Sequence, residues 1–178
     1  MASYNELPKS WKRIPLSAVG VSLTGNTPPT KDAENYGGKL PYIKPPQLRN
    51  NIFSEGEETL SEKGKSLARV LPPNSVLVSV AFNQQINAVI PNSSILPKFL
   101  FYQAQSSDFR NQLEGKSTAT TISIVNKGNF EKILINLAPL NEQKSIVAKI
   151  EELFSELDSG IASLKTAQEH LKVYRQAL

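Results

Sequence analysis

The apolar residues of this chain follow two different patterns, which meet at Pro139. From Ile146 to the last residue they recur every three or four positions, with Glu, Lys, Ser and Gln between them, as in the seam of a coiled coil. Asn141 can cap this segment and no proline follows Pro139, so we expect a helix of about 38 residues, about 57 Å long. Its apolar positions are Ile146, Ile150, Leu153, Leu157, Ile161, Leu164, Ala167, Leu171, Tyr174 and Leu178.

The first 138 residues contain eleven of the twelve prolines, and short apolar segments alternate there with Pro, Gly and Asn. This pattern predicts a helix at residues 97–112, a turn near residues 127–130 and long loops at residues 26–38, 45–65 and 114–121. The predicted strands are residues 15–23, 41–44, 75–80, 85–90 and 132–137. The expected fold class is therefore α+β, a small mixed α/β domain with long loops followed by a long C-terminal coiled-coil helix.

The seam of the predicted helix needs a partner, because such a rod reaches beyond a compact domain of about 140 residues, whose radius of gyration is roughly 14 Å. The partner is either a second helix or the chain's own domain, if the helix folds back. We favour a second helix, because the apolar stripe continues to the last residue and only Gly160 weakens the helix. The expected contact residues are Ile150, Leu153, Leu157, Ile161, Leu164 and Leu171.

The charge of the chain is unevenly distributed. The 178 residues have a net charge of +4. Residues 1–138 contain fifteen Lys and Arg against ten Asp and Glu, whereas residues 139–178 contain five against six. The positive excess lies in the first part of the chain, which favours a polyanionic partner.

The composition argues against catalysis by this chain. It has no cysteine, which excludes disulfides, thiolate zinc sites and cysteine nucleophiles, and its single histidine leaves little for a metal cluster or a proton shuttle. We expect no catalytic residue and no metal site. The sequence also shows neither a signal sequence nor a run of about eighteen apolar residues, so we expect a soluble, cytoplasmic protein that does not bind a membrane.

Three short motifs resemble sites with known chemistry, but none has the residues that the chemistry requires. Residues 44–47 are similar to the Asp/Asn-Pro-Pro-aromatic loop of amino-methyltransferases, but Lys44 cannot accept from the target amino group and Gln47 offers no aromatic surface. Gly37-Gly38 lacks the spacing of a nucleotide-binding loop and is predicted to be a turn. Glu57 and Glu58 could pair as metal ligands, but adjacent acids in a Ser/Gly/Thr-rich stretch are more typical of a solvated loop.

Cations, amides, hydroxyls and aromatic side chains cluster in two predicted loops, in a mixture that suits DNA. Lys and Arg bind phosphates, and Arg, Asn and Gln can read base edges. The first cluster is Thr27, Thr30, Lys31, Tyr36, Lys39, Tyr42, Lys44, Gln47, Arg49, Asn50 and Asn51, and the second is Lys116, Ser117, Thr118, Thr120 and Thr121. The alternative is that both are ordinary exposed loops.

A series of ordered landmarks resembles the specificity subunit of Type I restriction-modification enzymes. They are Leu7-Pro8-x-x-Trp11, Ile14-Pro15-Leu16, Thr24-Gly25-Asn26-Thr27-Pro28, Tyr36-Gly37-Gly38, Leu40-Pro41-Tyr42-Ile43, Leu71-Pro72-Pro73-Asn74-Ser75-Val76-Leu77, Phe82-Asn83-Gln84-Gln85, Pro97-Lys98-Phe99-Leu100 and Leu137-Ala138-Pro139-Leu140-Asn141-Glu142-Gln143. Their order across nearly the whole chain, ending in a heptad-bearing helix, makes the resemblance specific. The chain departs from the family near Ser79–Phe82, where members usually have a longer loop with an Ile-Gly-Lys-like element.

The resemblance implies a target recognition domain at residues 1–139 and a conserved coiled-coil spacer helix at residues 140–178. In that family two recognition domains each read half of a split DNA site, and a pair of antiparallel helices holds them apart. Methyltransferase subunits, which bind S-adenosylmethionine, and restriction subunits assemble around this scaffold, so no cofactor is expected on this chain. Because the chain holds one domain-plus-helix unit, we expect a homodimer and an inverted-repeat DNA site.

We therefore interpret the chain as a noncatalytic subunit that recognises double-stranded DNA within a Type I restriction-modification complex. The alternative is a protein-interaction scaffold or an antirestriction-like decoy, while an independent nuclease or methyltransferase would need acids or a cofactor loop that the sequence lacks. The expected DNA-binding residues are Lys31, Lys39, Tyr42, Lys44, Gln47, Arg49 and Asn50, with Lys116, Thr118 and Thr120 in a second loop.

Overall fold

The structure is a computed structural model that describes residues 7–48, 52–53, 55–79, 86–115 and 125–176. It divides into two compact units, Met1–Leu140 and Asn141–Leu178.

Seven strands and five α-helices form within the described residues. The strands are β1 (Lys12–Pro15), β2 (Gly20–Thr24), β3 (Tyr36–Tyr42), β4 (Glu58–Leu60), β5 (Val76–Ser79), β6 (Ile86–Pro91) and β7 (Leu134–Leu137). The helices are α1 (Glu62–Leu67), α2 (Pro97–Ala104), α3 (Ser107–Gly115), α4 (Lys127–Glu131) and α5 (Leu140–Gln176). Three 3₁₀ turns at Leu16–Ala18, Ala33–Asn35 and Pro45–Gln47 complete the regular structure of this part of the chain.

The strands form three small antiparallel sheets. β1 pairs with β7, β3 pairs with β4, and β6 lies between β2 and β5. With the short helices between the strands and the long helix after them, this architecture confirms the predicted α+β fold class with a long C-terminal helix.

The core of the first unit draws on residues that are far apart in sequence. Phe130 of α4, Ile133 directly before β7 and Ile135 of β7 are almost fully buried. So are Leu16 of the first 3₁₀ turn and Val19 directly after it. The backbone N–H of Leu16 donates to the carbonyl of Ile133 at 2.9 Å, which joins the two ends of the unit. Burial of each such side chain stabilises the fold by about 1.5–3 kcal/mol.

Two glutamines complete the free edge of β7, which pairs with β1 along its other edge. The Gln112 amide of α3 donates to the carbonyl of Leu134 at 2.9 Å and accepts from the Leu134 N–H at 2.8 Å. Gln103 of α2 makes the same two bonds with Asn136, whose N–H donates to it at 2.9 Å. Since alternate residues of a strand direct their backbone groups to the same edge, the two amides take the place of a neighbouring strand.

The predicted strand at residues 15–23 is wrong as a single element. β1 ends at Pro15, a 3₁₀ turn follows at Leu16–Ala18, and β2 begins at Gly20. The turn places Leu16 and Val19, three residues apart, on one buried side, as the 3₁₀ period of three residues requires.

The predicted helix at residues 97–112 is also two elements. It breaks after Ala104, and the hydroxyl of Ser106 accepts the N–H of Phe109 at 3.2 Å to cap the second helix. The predicted turn at residues 127–130 is the short helix α4, capped by Asn126, which accepts from the N–H of Asn129 at 2.9 Å.

The second predicted strand and the long loop after it need a similar correction. β3 is Tyr36–Tyr42 rather than residues 41–44, and the loop predicted at residues 45–65 contains β4 and most of α1. β4 has three residues and is defined by its pairing with β3, so its own sequence carries no periodic signal. The strands predicted at residues 75–80, 85–90 and 132–137 are confirmed as β5, β6 and β7 within the residues that the structure describes.

The long C-terminal helix is confirmed. α5 has 37 residues and is therefore about 55 Å long at 1.5 Å per residue. Its side chains are exposed from Glu152 to Arg175. Of the helices described, none combines the length and apolarity that a membrane span requires.

Replacement of Gln103 by Ala removes both partners of the Asn136 backbone at the edge of β7. We expect Gln103→Ala to lower the free energy of unfolding by about 1–3 kcal/mol, because part-buried N–H and carbonyl groups lose their hydrogen bonds. Urea denaturation measures the change. Asn111→Ala, at an exposed position of α3, is the matched control, and equal stability of the two variants would show that the glutamine does not complete this edge.

Candidate nucleic-acid interface

The predicted loop after β2 is fixed to the segment that follows α1. The Asn26 amide donates to the carbonyl of Leu67 at 2.7 Å, and its oxygen accepts the N–H of Arg69 at 2.8 Å. The Arg69 guanidinium donates to the carbonyl of Thr24 at 2.6 Å. These hydrogen bonds fix the start of the loop that carries Thr27, Thr30 and Lys31.

Asn35 anchors the other end of this loop. It is fully buried, its amide donates to the carbonyl of Pro29 at 3.0 Å, and its own carbonyl accepts the N–H of Ser61 at 3.0 Å. Gly64 of α1 lies so close that a Cβ there would meet the Asn35 carbonyl oxygen at 2.0 Å. The loop thus packs directly against the first turns of α1.

The Tyr-Gly-Gly motif forms a bulge in β3 rather than the predicted turn. Tyr36 and Leu40 both lie opposite Leu60 of β4, so the residues between them are extra. The backbone φ angle of Gly37 is +79°, a conformation that residues other than glycine rarely adopt. A Cβ on Gly38 would meet the Leu60 carbonyl oxygen at 2.3 Å. The backbone conformation of the bulge therefore requires glycine at both positions.

The bulge brings two tyrosines of β3 together. The rings of Tyr36 and Tyr42 meet edge to face with centroids 6.1 Å apart. The Tyr36 hydroxyl donates to the carbonyl of Pro28 at 2.8 Å, and burial raises its pKa above the ordinary value. The Tyr42 hydroxyl donates to the Thr27 hydroxyl at 2.8 Å. These bonds hold the loop after β2 against β3.

Lys44 and Gln47 are joined to this tyrosine pair. The Lys44 ammonium forms an ion pair with Glu58 and lies 5.8 Å from the centre of the Tyr42 ring. The hydrogen bond to Glu58 raises the pKa of Lys44 above its ordinary value. The Gln47 side-chain oxygen accepts the backbone N–H of Lys44 at 2.7 Å, which closes the turn at Pro45–Gln47.

Glu58 is a site residue that the sequence analysis missed. The sequence pattern around Glu57 and Glu58 predicts a solvated loop, whereas the structure places Glu58 in β4 beside Lys44. The correction follows from the pairing of β3 and β4, which sets Tyr42 opposite Glu58. The bulge interrupts the alternation of inward and outward side chains along β3. The sequence therefore shows no periodic pattern from which the pairing of Tyr42 with Glu58 could be predicted.

A second ion-pair group neutralises Lys63 of α1. Its ammonium lies 2.7 Å from a carboxylate oxygen of Asp32 and 2.7 Å from one of Glu34. The hydrogen bond from Lys63 lowers the pKa of Asp32 below its ordinary value of 3.8. A carboxyl whose pKa is lower in the folded chain stabilises the fold above its ordinary pKa and loses that contribution as the pH falls through the folded pKa.

The structure separates the predicted DNA-binding residues by their environment. Tyr42, Lys44 and Gln47 lie together, since Lys44 contacts both of the others. Lys31 lies at an exposed position of the turn that the Asp32 N–H closes onto the Pro29 carbonyl, and Lys39 lies at an exposed position of β3. Neither makes an ion pair with the residues that the structure describes. Arg49, Asn50, Lys116, Thr118 and Thr120 lie outside the described residues, as does the segment at residues 80–85.

The predicted seam of α5 is largely exposed in the single chain. Ile150 is half-buried, whereas Leu153, Leu157, Ile161, Leu164 and Leu171 are between 42 % and 73 % exposed.

Across the described part of the chain, no three His, Asp or Glu side chains cluster in a way that could hold a metal ion. The first unit offers exposed cations and a hydrogen-bonded cluster of aromatic, amide and charged side chains.

The sequence matches a known protein family. Residues 8–166 match the family model of the Type I restriction modification DNA specificity domain. The chain belongs to this family. The resemblance drawn from the sequence landmarks is confirmed, because the match covers most of both units.

Similar proteins of known function are specificity subunits. The Type I restriction enzyme StySPI specificity subunit of Salmonella potsdam is 26 % identical over 97 % of this chain, and the EcoKI specificity subunit of Escherichia coli K12 is 25 % identical over 99 %. The HindI specificity subunit of Haemophilus influenzae is 28 % identical over 84 % of this chain. The chain spans 42 %, 43 % and 37 % of these three proteins, respectively.

Two solved structures share the fold. One belongs to a study of complex assembly and conformational transition of the type I R-M system; it gives a TM-score of 0.71 at 21 % identity, covering 99 % of this chain and 46 % of its own. The other is the HsdS subunit from Thermoanaerobacter tengcongensis, with a TM-score of 0.68 at 22 % identity over 97 % of this chain and 49 % of its own. Both support the α+β architecture with its long helix.

Proposed function

We propose that this chain is a DNA-recognition subunit of a Type I restriction-modification complex. The family match over residues 8–166 carries the proposal, and the positive excess of residues 1–138 supports it. The chain reads DNA and catalyses no reaction itself. Methyltransferase subunits, with their S-adenosylmethionine, and restriction subunits are its expected partners.

The first unit is the proposed DNA-reading part, and its cations divide into two groups. Lys31 and Lys39 are exposed and unneutralised by the described residues, so they are suited to bind phosphates. The Lys44 ammonium is held by its ion pair with Glu58 and its contact with the Tyr42 ring. It therefore offers hydrogen-bond donors in a fixed position, while the Glu58 carboxylate neutralises most of its positive charge. Tyr42 and Gln47 belong to the same rigid cluster, in which contacts with bases require little further ordering.

The contribution of the exposed cations is measurable as a salt dependence. Lys31→Ala with Lys39→Ala should weaken binding to all DNA sequences and lower the slope of log affinity against log salt by about 1.8, because each phosphate contact contributes about 0.9. Binding is measured by fluorescence anisotropy with the complex containing methyltransferase subunits. Lys149→Ala, which removes a cation paired with Glu152 on α5, is the control. An unchanged slope in the double variant would remove these lysines from the interface.

The second unit is the proposed spacer and dimerisation helix. Leu157, Leu164 and Leu171 are 57 %, 73 % and 62 % exposed in the single chain, and they recur every seven residues. An apolar row of this kind is stable in water when it packs against another helix. A second copy of the same chain is the proposed partner, which makes the recognition subunit a homodimer.

Charges placed in this seam should separate the copies. Leu157→Glu combined with Leu164→Glu is expected to give a monomer at concentrations where the unaltered chain is a dimer, since the new carboxylates would be buried without partners. Analytical ultracentrifugation measures the mass, and Ser163→Glu, at an exposed position outside the seam, should remain dimeric. A monomeric unaltered chain at tens of micromolar would contradict the homodimer.

The DNA-recognition function itself is tested by the methylation that the complex directs. Cells that express this chain with its modification partner should carry methylated bases in a split motif, and a homodimer predicts two halves related as an inverted repeat. Sequencing of methylated bases in these cells, with cells lacking the chain as the control, measures the motif. Identical methylation in both cell lines would favour the scaffold or decoy alternative instead.

A further inference from the structure

Arg69 follows α1 in a short extended segment that is bonded to the loop after β2. Ala68, the first residue after α1, has φ of −96° and ψ of 154°, so the chain leaves the helix in an extended conformation. The Asn26 side chain bonds to the carbonyl of Leu67 and to the N–H of Arg69, two residues apart, as a neighbouring strand would. The backbone of Arg69 is therefore held in place.

The guanidinium of Arg69 is held by a carbonyl at the free edge of β2. β2 pairs with β6 along one edge, and no other strand that the structure describes pairs with it. The N–H of Gly25 donates to the carbonyl of Ile86 in β6 at 2.8 Å, so the carbonyl of Thr24, in the same trans peptide, points away from β6. Arg69 Nη1 donates to this carbonyl at 2.6 Å. Backbone and side chain of Arg69 are thus both bonded where the loop begins.

Most of the guanidinium remains available for another contact. Arginine has five N–H donors, and the bond to Thr24 uses one of them, on Nη1. The Nε–H and one Nη2–H lie side by side on the opposite edge of the group, and no residue that the structure describes accepts a hydrogen bond from them. Two parallel donors on a planar cation match two oxygens of one phosphate or carboxylate.

The charge of Arg69 is also uncompensated. Lys44, Lys63 and Lys65 each form an ion pair with a carboxylate of the same unit. Arg69 forms none with the part of the chain that the structure describes, and it is exposed to solvent. The first unit thus presents a preordered planar cation whose charge and two parallel donors are both unused.

The position of the guanidinium favours a DNA phosphate over a base edge. Base edges lie inside a major groove about 8.5 Å deep, so a side chain that reads them must project from the protein. The Arg69 side chain instead turns back to the carbonyl of Thr24, which limits its reach beyond its own unit. Phosphates line the outer rim of the groove, where a side chain held in this way meets them first.

We propose that Arg69 binds a backbone phosphate of the DNA through Nε and Nη2, while Nη1 stays bonded to the carbonyl of Thr24. The inference rests on the DNA-recognition function proposed above and adds a contact residue that the sequence patterns do not predict. Phosphate contacts set the orientation of a protein on the duplex. Since Arg69 is bonded to the start of the loop after β2, its contact orients the loop residues Thr27, Thr30 and Lys31 on the DNA.

Substitution of Arg69 tests the proposal in the complex containing methyltransferase subunits. Arg69→Ala should weaken binding about tenfold, to the recognised duplex and to an unrelated duplex alike, because a phosphate contact carries no sequence information. It should also lower the slope of log affinity against log salt by about 0.9. Arg69→Lys keeps the charge but loses the two parallel donors, so it should keep the slope and weaken binding about threefold. Fluorescence anisotropy at several salt concentrations measures both quantities.

Two further variants separate the phosphate contact from a purely structural role. Arg69→Gln is uncharged but keeps an amide N–H for a backbone carbonyl, so its slope should fall as far as that of Arg69→Ala. A slope equal to that of the unaltered complex would leave Arg69 only its structural bond to Thr24 and overturn the proposal. Lys65→Ala removes a cation four residues earlier that Glu62 neutralises at 3.2 Å, and it should change the slope less than half as much.

Uncharged DNA locates the contact independently of the protein's stability. Each phosphate of the recognised duplex is replaced in turn by a methylphosphonate, which removes its charge. One replacement should weaken binding of the unaltered complex about as much as Arg69→Ala does, and should weaken the Arg69→Ala complex no further, since both changes remove the same contact. Additive effects of Arg69→Ala with every replacement would contradict the proposal.

The outcomes also separate this inference from the proposed function. An unaltered complex that binds the recognised and the unrelated duplex equally well would contradict the DNA-recognition function itself. If that complex is selective and Arg69→Ala changes neither affinity nor slope, DNA recognition stands and Arg69 contacts no phosphate. If Arg69→Ala relaxes the preference at one base pair and leaves the slope unchanged, Arg69 reads a base and the phosphate assignment is wrong.

Discussion

The first unit depends on one constraint, that backbone N–H and carbonyl groups at the edges of small sheets need partners. Its sheets have two or three strands, so most strands lie at an edge. Side-chain amides supply partners at one such edge, where Gln103 and Gln112 bond to β7. The buried Asn87 amide of the central strand β6 instead donates to the carbonyl of Val125, just before α4, at 3.1 Å. Side-chain hydrogen bonds thus satisfy backbone groups that a further strand would otherwise satisfy.

The same chemistry fixes the segments proposed to face DNA. Asn26 and Asn35 bond to backbone groups at the two ends of the loop after β2, and Tyr36 and Tyr42 hold its middle. This region is held in place mainly by polar hydrogen bonds rather than by a large apolar core. Because the backbone is already ordered, binding would cost less conformational entropy than it would for a mobile loop.

The ion pairs determine which charges of this region remain available. Lys44 and Lys63 are compensated by Glu58 and by Asp32 with Glu34, whereas Lys31 and Lys39 are exposed without such partners among the described residues. Counting Lys and Arg in the sequence gives all four residues equal weight. Only the folded chain shows that Lys44 joins the end of β3 to β4, and that Lys63 joins α1 to the segment before β3.

Sequence reasoning succeeded where a signal was local and periodic. α5, β5, β6 and β7 follow from apolar spacing, and the family follows from ordered motifs. It failed where a tertiary contact decides the structure. β4 exists because β3 pairs with it, and Lys44 and Glu58 are fourteen residues apart with a bulge before them. The glutamines of α2 and α3 carry no sign in the sequence that they complete a strand edge.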